Sequence, residues 1–172
     1  MKVDIIHHRE DIPLDDLRVV YDHWHEKLGG RFAPAWQDVD MVCFPPRVIP
    51  MCLVIDIRDQ PRDFVFRFLG TGFTDMHGAD FTARSLDDLP TPGAISVLRE
   101  QYNELIVRRR PLIHVVRVTA NNDVSYTNTA IRLPLSSDGE TIDKILVAVS
   151  SHRNGILIAT PEARAAEMES LN

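Results

Sequence analysis

Cysteine is scarce in this sequence of 172 residues: Cys43 and Cys52 are the only two, and neither sits in a CxxC pair. They cannot frame a disulfide scaffold or a zinc site, and a reducing compartment fits such usage. Long apolar runs are also missing. No stretch approaches the roughly 18 uninterrupted apolar residues that a membrane span needs, and the opening MKVDIIHHRED has no apolar core of signal-peptide length. The expectation is a soluble, cytoplasmic protein with no membrane partner. Positive charge is outweighed, with 19 Lys and Arg against 25 Asp and Glu for a net charge of -6. Phosphate neutralisation needs a concentrated cationic face, so nucleic acid is not an expected partner. The one basic run, Arg108-Arg109-Arg110, reads as the cationic last turn of a helix. No GxSxG, P-loop, HExxH or dinucleotide fingerprint is present. His7-His8 and His23-x-His25 have no cysteine or carboxylate cluster to complete a metal shell. Neither a catalytic residue nor a metal site is expected.

What is present suits one globular domain with extensions: 44% hydrophobic and 26% charged residues, with no internal repeat and no linker long enough to set off a second domain. Residues 1–50 form a first zone. Leu17, Val20, Tyr21, Trp24 and Leu28 recur at helical spacing, Asp15 and Asp16 occupy the favourable first turn, and Gly29-Gly30 supplies the stop. Pro34, Pro45, Pro46 and Pro50 then lace a connection that allows at most helical turns, anchored by Trp36, Val39, Met41 and Phe44.

Residues 51–151 read as the core. Leu53–Ile57 and Phe64–Leu69 make a hairpin around Arg58-Asp59-Gln60-Pro61. A glycine-bounded mixed segment follows, with turns at Gly70, Gly72 and Gly78. Thr91 and Pro92 then open a helix whose Ile95, Leu98, Tyr102, Leu105 and Ile106 share a face until Pro111. Leu112–Thr119, Tyr126–Leu135 and Ile145–Ser150 complete an antiparallel meander, with turns at Asn121-Asn122-Asp123 and Ser136–Glu140. Residues 152–172 read as an exit segment, with a helix start at Thr160-Pro161-Glu162.

Two strands, short helical turns, one longer helix and three antiparallel strands is the element order of a PAS domain. The run FVFRFLGTGFTDMHGADFTARSLDDL resembles the PAS pattern of a strand leading through a small helix to a glycine and on to the connecting helix. Trp24, PAWQDVD at 34–40, RFLGT at 67–71 and LPLSSDG at 133–139 together resemble a group of bacterial single-PAS-domain sensory proteins over roughly residues 14–150. The resemblance implies an α+β fold. A five-stranded antiparallel sheet would carry short helices and one long connecting helix on one face, with an N-terminal amphipathic helix added. It also implies signal transduction by a sensor, through a small-molecule ligand between the connecting helix and the sheet, a homodimer, or a separate signalling partner protein.

Ligand-binding candidates are Arg67, Phe73, Met76, His77, Tyr102, His114 and Tyr126. Arg67 lies among apolar strand neighbours, where a buried guanidinium needs an anion, either a ligand carboxylate or an internal Asp such as Asp75 or Asp80. His114 shares strand parity with Val116 and Val118; a hydrogen-bonded core or edge histidine is a commoner fate than a haem ligand. Phe73, Tyr102 and Tyr126 could floor a cavity or simply fill the core. Arg117 and Arg132, by parity, are assigned to the solvent side or a dimer surface. Leu17, Val20, Tyr21, Trp24 and Leu28 are dimer-interface candidates. No particular cofactor is indicated. The small-helix region holds no cysteine for a flavin photoreceptor motif, and neither His77 nor His114 has a spacing that marks haem.

Two other readings compete. A dimerisation or adaptor module would fill its core with its own aromatics. A curved α+β barrel of the isomerase or dehydratase type would use Asp75, His77, His114 and Tyr126, but such barrels place most helices before the sheet.

Overall fold

The computed structural model describes residues 2–6, 8–59, 62–119, 125–153 and 156–157. The expected 121–123 turn, the tip of the first hairpin at 60–61 and the exit helix from Thr160 lie outside the described residues. Strands β1 (Lys2–Ile6), β2 (Cys52–Asp59), β3 (Arg62–Leu69), β4 (Leu112–Thr119), β5 (Ser125–Leu135), β6 (Lys144–Arg153) and β7 (Ile156–Leu157) form one antiparallel sheet. Its order is β1-β4-β5-β6-β2-β3, with β7 beside β6. Strands β2 to β6 are the expected five, and with helices α1 (Asp15–Glu26), α2 (Thr71–His77) and α3 (Pro92–Arg108) they give the expected α+β architecture. Strand β1 was not expected. VDII is too short to alternate visibly, and it is held as a strand by its partner β4, from Lys2↔Arg117 to Ile6↔Ile113.

The helices divide between the two faces of the sheet. On one face α1 and the proline-laced connection bury Leu17, Val20, Trp24, Phe44 and Val48 against Val54, Ile113, Ile131, Leu133 and Leu146. On the other, α2, the turn at Leu86–Asp88 and α3 bury Phe73, Leu86, Tyr102 and Leu105 against Ile55, Phe64, Leu112, Ile145 and Val147. Alternation along a strand therefore sorts side chains between two cores, not between core and water.

The connection winds through three 3-10 turns, Trp36–Asp38, Met41–Cys43 and Ile49–Met51. Polar contacts fix this layer to the sheet and to itself. Trp24 Nε1 donates to the Pro134 carbonyl at 2.8 Å, and the Ser136 amide donates to the Pro34 carbonyl at 2.9 Å. The Asp40 amide donates to His23 Nε2 at 3.1 Å, while the Phe44 ring meets the His23 imidazole edge-on at 5.5 Å.

Two motif glycines in the RFLGTGF run owe their identity to crowding. A Cβ on Gly70 would lie 2.3 Å from the Pro50 carbonyl oxygen, and one on Gly72 would lie 2.6 Å from Met51 Sδ. Strand β3 thus turns into α2 directly against the Ile49–Met51 turn. The LPLSSDG motif is a built loop. Asp138 accepts from the amides of Glu140 and Thr141, each at 2.8 Å, and from the Ser136 and Thr141 hydroxyls, which holds its carboxyl well below the usual range. Thr91 stands at the start of α3 as expected, but its side chain makes no capping hydrogen bond.

Gly70→Ala is expected to destabilise the fold by about 1–3 kcal/mol, at the upper end because the clashing atom is backbone. Gly93→Ala, in open space within α3, should be neutral or stabilising by up to about 1 kcal/mol. Urea denaturation of the two variants should give opposite signs. His23 gives a pH dependence. Burial lowers its pKa below the ordinary 6.5, and its acceptor role requires the neutral ring. Below about pH 6.5 the unfolded chain binds a proton that the native chain does not. Stability should therefore fall as pH drops through that point and level off beneath the native pKa. His152, whose pKa is likewise lowered by burial, adds the same sign. His23→Gln retains an acceptor without the titration and should flatten the profile between pH 7 and 5. An unchanged profile would remove His23 from the account.

Candidate functional site between the sheet and the connecting helix

The site follows from strand order. Strands β5 and β6 are central, and on the α3 side their register sets Arg132 opposite Leu112 of β4 and Val147 of β6, with Ala130 opposite His114 and Val149. Arg132 and His114 are therefore diagonal neighbours on one face. Arg132 Nη1 lies 3.1 Å from His114 Nδ1, so the guanidinium donates and the imidazole accepts as a neutral ring. Arg132 is only 5% exposed, and its Nε has no hydrogen-bond partner. Burial lowers the pKa of its guanidinium, with Tyr102 acting in the opposite sense. Among the described residues no carboxylate pairs with it. The face holds a desolvated cation without its counter-charge, an arrangement that costs several kcal/mol unless an anion answers it.

Tyr102 roofs this patch. It is 1% exposed, burial raises the pKa of its phenol, and its ring lies 5.2 Å from that of Phe64. The helix that carries it buries Tyr102 and Leu105 fully and packs Ile95, Leu98 and Ile106, partly buried, against the same layer, while Val97 and Val107 are exposed. Gln101 Oε1, on the same helix, is a buried acceptor without a partner.

Of the expected ligand residues, His114 and Tyr102 are each set near Arg132, and Phe73 and Met76 lie in the same hydrophobic layer as Tyr102. His77 is half-buried at its margin, edge-on to Phe81 at 5.8 Å. Tyr126 lies in β5, but its side chain is outside the described part. Arg67 is a correction. It lies on the opposite side of β3 from Phe64 and Phe66, its side chain is 45% exposed, and it pairs with Asp56 on the neighbouring strand at 2.6 Å rather than with Asp75 or Asp80. Arg132 is a second correction, since parity assigns it to the solvent side or a dimer surface and it is buried within the chain. Parity failed because both faces of β5 are covered. The signal that could have found it is its place inside the apolar run Ile131 to Leu135 of a central strand. Of the dimer-interface candidates, Leu17, Val20 and Trp24 are buried against the chain's own sheet, with Tyr21 and Leu28 partly buried beside them.

Residues 15–150 match the family model described as PAS domain (PAS_5), and the chain belongs to that family. It is thus a PAS domain, a class of sensory and regulatory domains. Two solved structures are similar. One is a light-oxygen-voltage domain studied with a flavin analogue: 14% identical, covering 70% of this chain and 86% of that one, with a TM-score of 0.40. The other is a variant of RsLOV: 19% identical, covering 71% of each chain, with a TM-score of 0.39. At these values the likeness adds nothing to the fold already described. No curated protein matches the sequence.

The two arginines should separate cleanly. Arg67→Ala removes a solvated pair and is expected to change stability by no more than about 1 kcal/mol. Arg132→Met in ligand-free protein removes a buried, unanswered charge and should leave stability unchanged or raise it, by up to about 4 kcal/mol. Denaturant midpoints measure both, and a large loss in Arg132→Met would show that the guanidinium is a structural tie.

Proposed function

We propose that this PAS domain takes a small ligand between α3 and the sheet, over Tyr102, His114 and Arg132, and relays occupancy without catalysing a reaction. The observation that carries this reading is the buried guanidinium of Arg132, which among the described residues has no carboxylate partner and lies on the sheet face that α3 covers. A ligand that binds better when α3 is drawn onto the sheet biases that helix toward one position, and only such differential affinity can transmit a signal. The receivers would be a second copy of the chain or a separate signalling protein. A homodimer through α1 would have to use the residues that helix leaves outward, among them exposed Val19 beside half-buried Tyr21. The cytoplasm of a bacterium is the proposed setting. Exposed Cys43 and buried Cys52 are both unpaired, and no described helix is long and apolar enough to cross a membrane.

The packing of Phe64 on Tyr102 supports a second reading, in which the chain's own aromatics fill the face and the domain is a ligand-free dimerisation or adaptor module.

Native mass spectrometry and an absorbance scan of freshly purified protein, followed by amide exchange on α3, distinguish the two. A bound small molecule whose removal speeds exchange in residues 92–108 is the expected result. A bare dimer whose α3 exchange no small molecule alters would overturn it in favour of the adaptor.

A further inference from the structure

Resting on that reading of the site, we infer that its ligand is a small monocarboxylate with an apolar body. The charge follows from Arg132: a guanidinium that is 5% exposed, with Nη1 given to His114 and Nε unpartnered, presents its Nε side for an acceptor to complete. That edge of the fork matches the two oxygens of a planar carboxylate side-on. A single carboxylate is favoured over a dicarboxylate or a phosphate because, among the described residues, Arg132 is the one buried cation on this face. His114 is neutral as the acceptor of the Arg132 bond, and the flanking Leu112, Ala130, Val147 and Val149 are apolar. A second negative charge would be buried there without an answer. The apolar body follows from the same residues, with Tyr102 covering the face from α3 and packed on Phe64 of β3. Tyr102 is seated over the patch, so entry requires α3 to lift.

The experiment is isothermal titration and thermal-shift measurement of the full chain with benzoate, phenylacetate and 3-methylbutanoate, each beside its neutral amide, and with inorganic phosphate. Wild type is expected to bind at least one of the acids and not its amide. Arg132→Lys keeps the charge but loses the fork and should weaken that acid on the order of 10- to 100-fold. Arg132→Met should abolish the response, and where that variant does not fold, Arg132→Lys carries the comparison. Acid and amide binding alike, with α3 still protected from exchange, would overturn the carboxylate assignment and leave the ligand-sensor reading intact. Binding of phosphate in place of the acids, or a co-purified neutral molecule, would do the same. No response to any probe from a protein that is bare by native mass spectrometry would remove both.

Discussion

The constraint on which this molecule depends is that its sheet is covered twice. Five strands sandwiched between α1 with its proline-laced connection and α2 with α3 have no wet face along their central members. Every side chain of β5 and β6 in the middle of the sheet must then be apolar, hydrogen-bonded or answered by charge. Most meet this with Ile, Leu and Val. Arg132 meets it only in part, through His114, and with the buried, unpartnered Gln101 Oε1 of α3 it leaves an imbalance on the α3 face that packing does not explain.

Both covering layers are built from local devices that the sequence displays without explaining. The glycines of RFLGTGF serve close approach, since the Pro50 carbonyl stands where a Gly70 side chain would be. LPLSSDG is a carboxylate-centred loop in which Asp138 gathers the donors of the turn, and the Ser136 amide ties that loop to the Pro34 carbonyl of the connection. The segments that carry the family resemblance are therefore joints between layers. The residues suited to ligand chemistry lie elsewhere, on strands whose local sequence looks like ordinary core.

This explains what could be read in advance. The element order, the helical stripe of Leu17, Val20 and Trp24 and the strand periodicity of the core were legible because hydrophobic period reports secondary structure directly. Strand β1 was not, because five residues acquire strand character from the β4 ladder and not from their own pattern. At the site, His114 and Tyr102 were legible as candidates and Arg132 was misassigned, for one reason. Parity says which residues share a side; it does not say whether that side is wet. Arg67 was misread by the converse error, since apolar neighbours along β3 did not keep its side chain from water at the sheet edge, where Asp56 meets it.

The Trp24 indole, buried and bonded to the Pro134 carbonyl, has a further consequence. Trp36, the second of the two tryptophans, packs against the same core. Intrinsic emission is thus an optical gauge confined to one side of the sandwich. Detachment of the N-terminal cover would shift it, whereas rearrangement confined to the space beneath α3 would leave it unchanged.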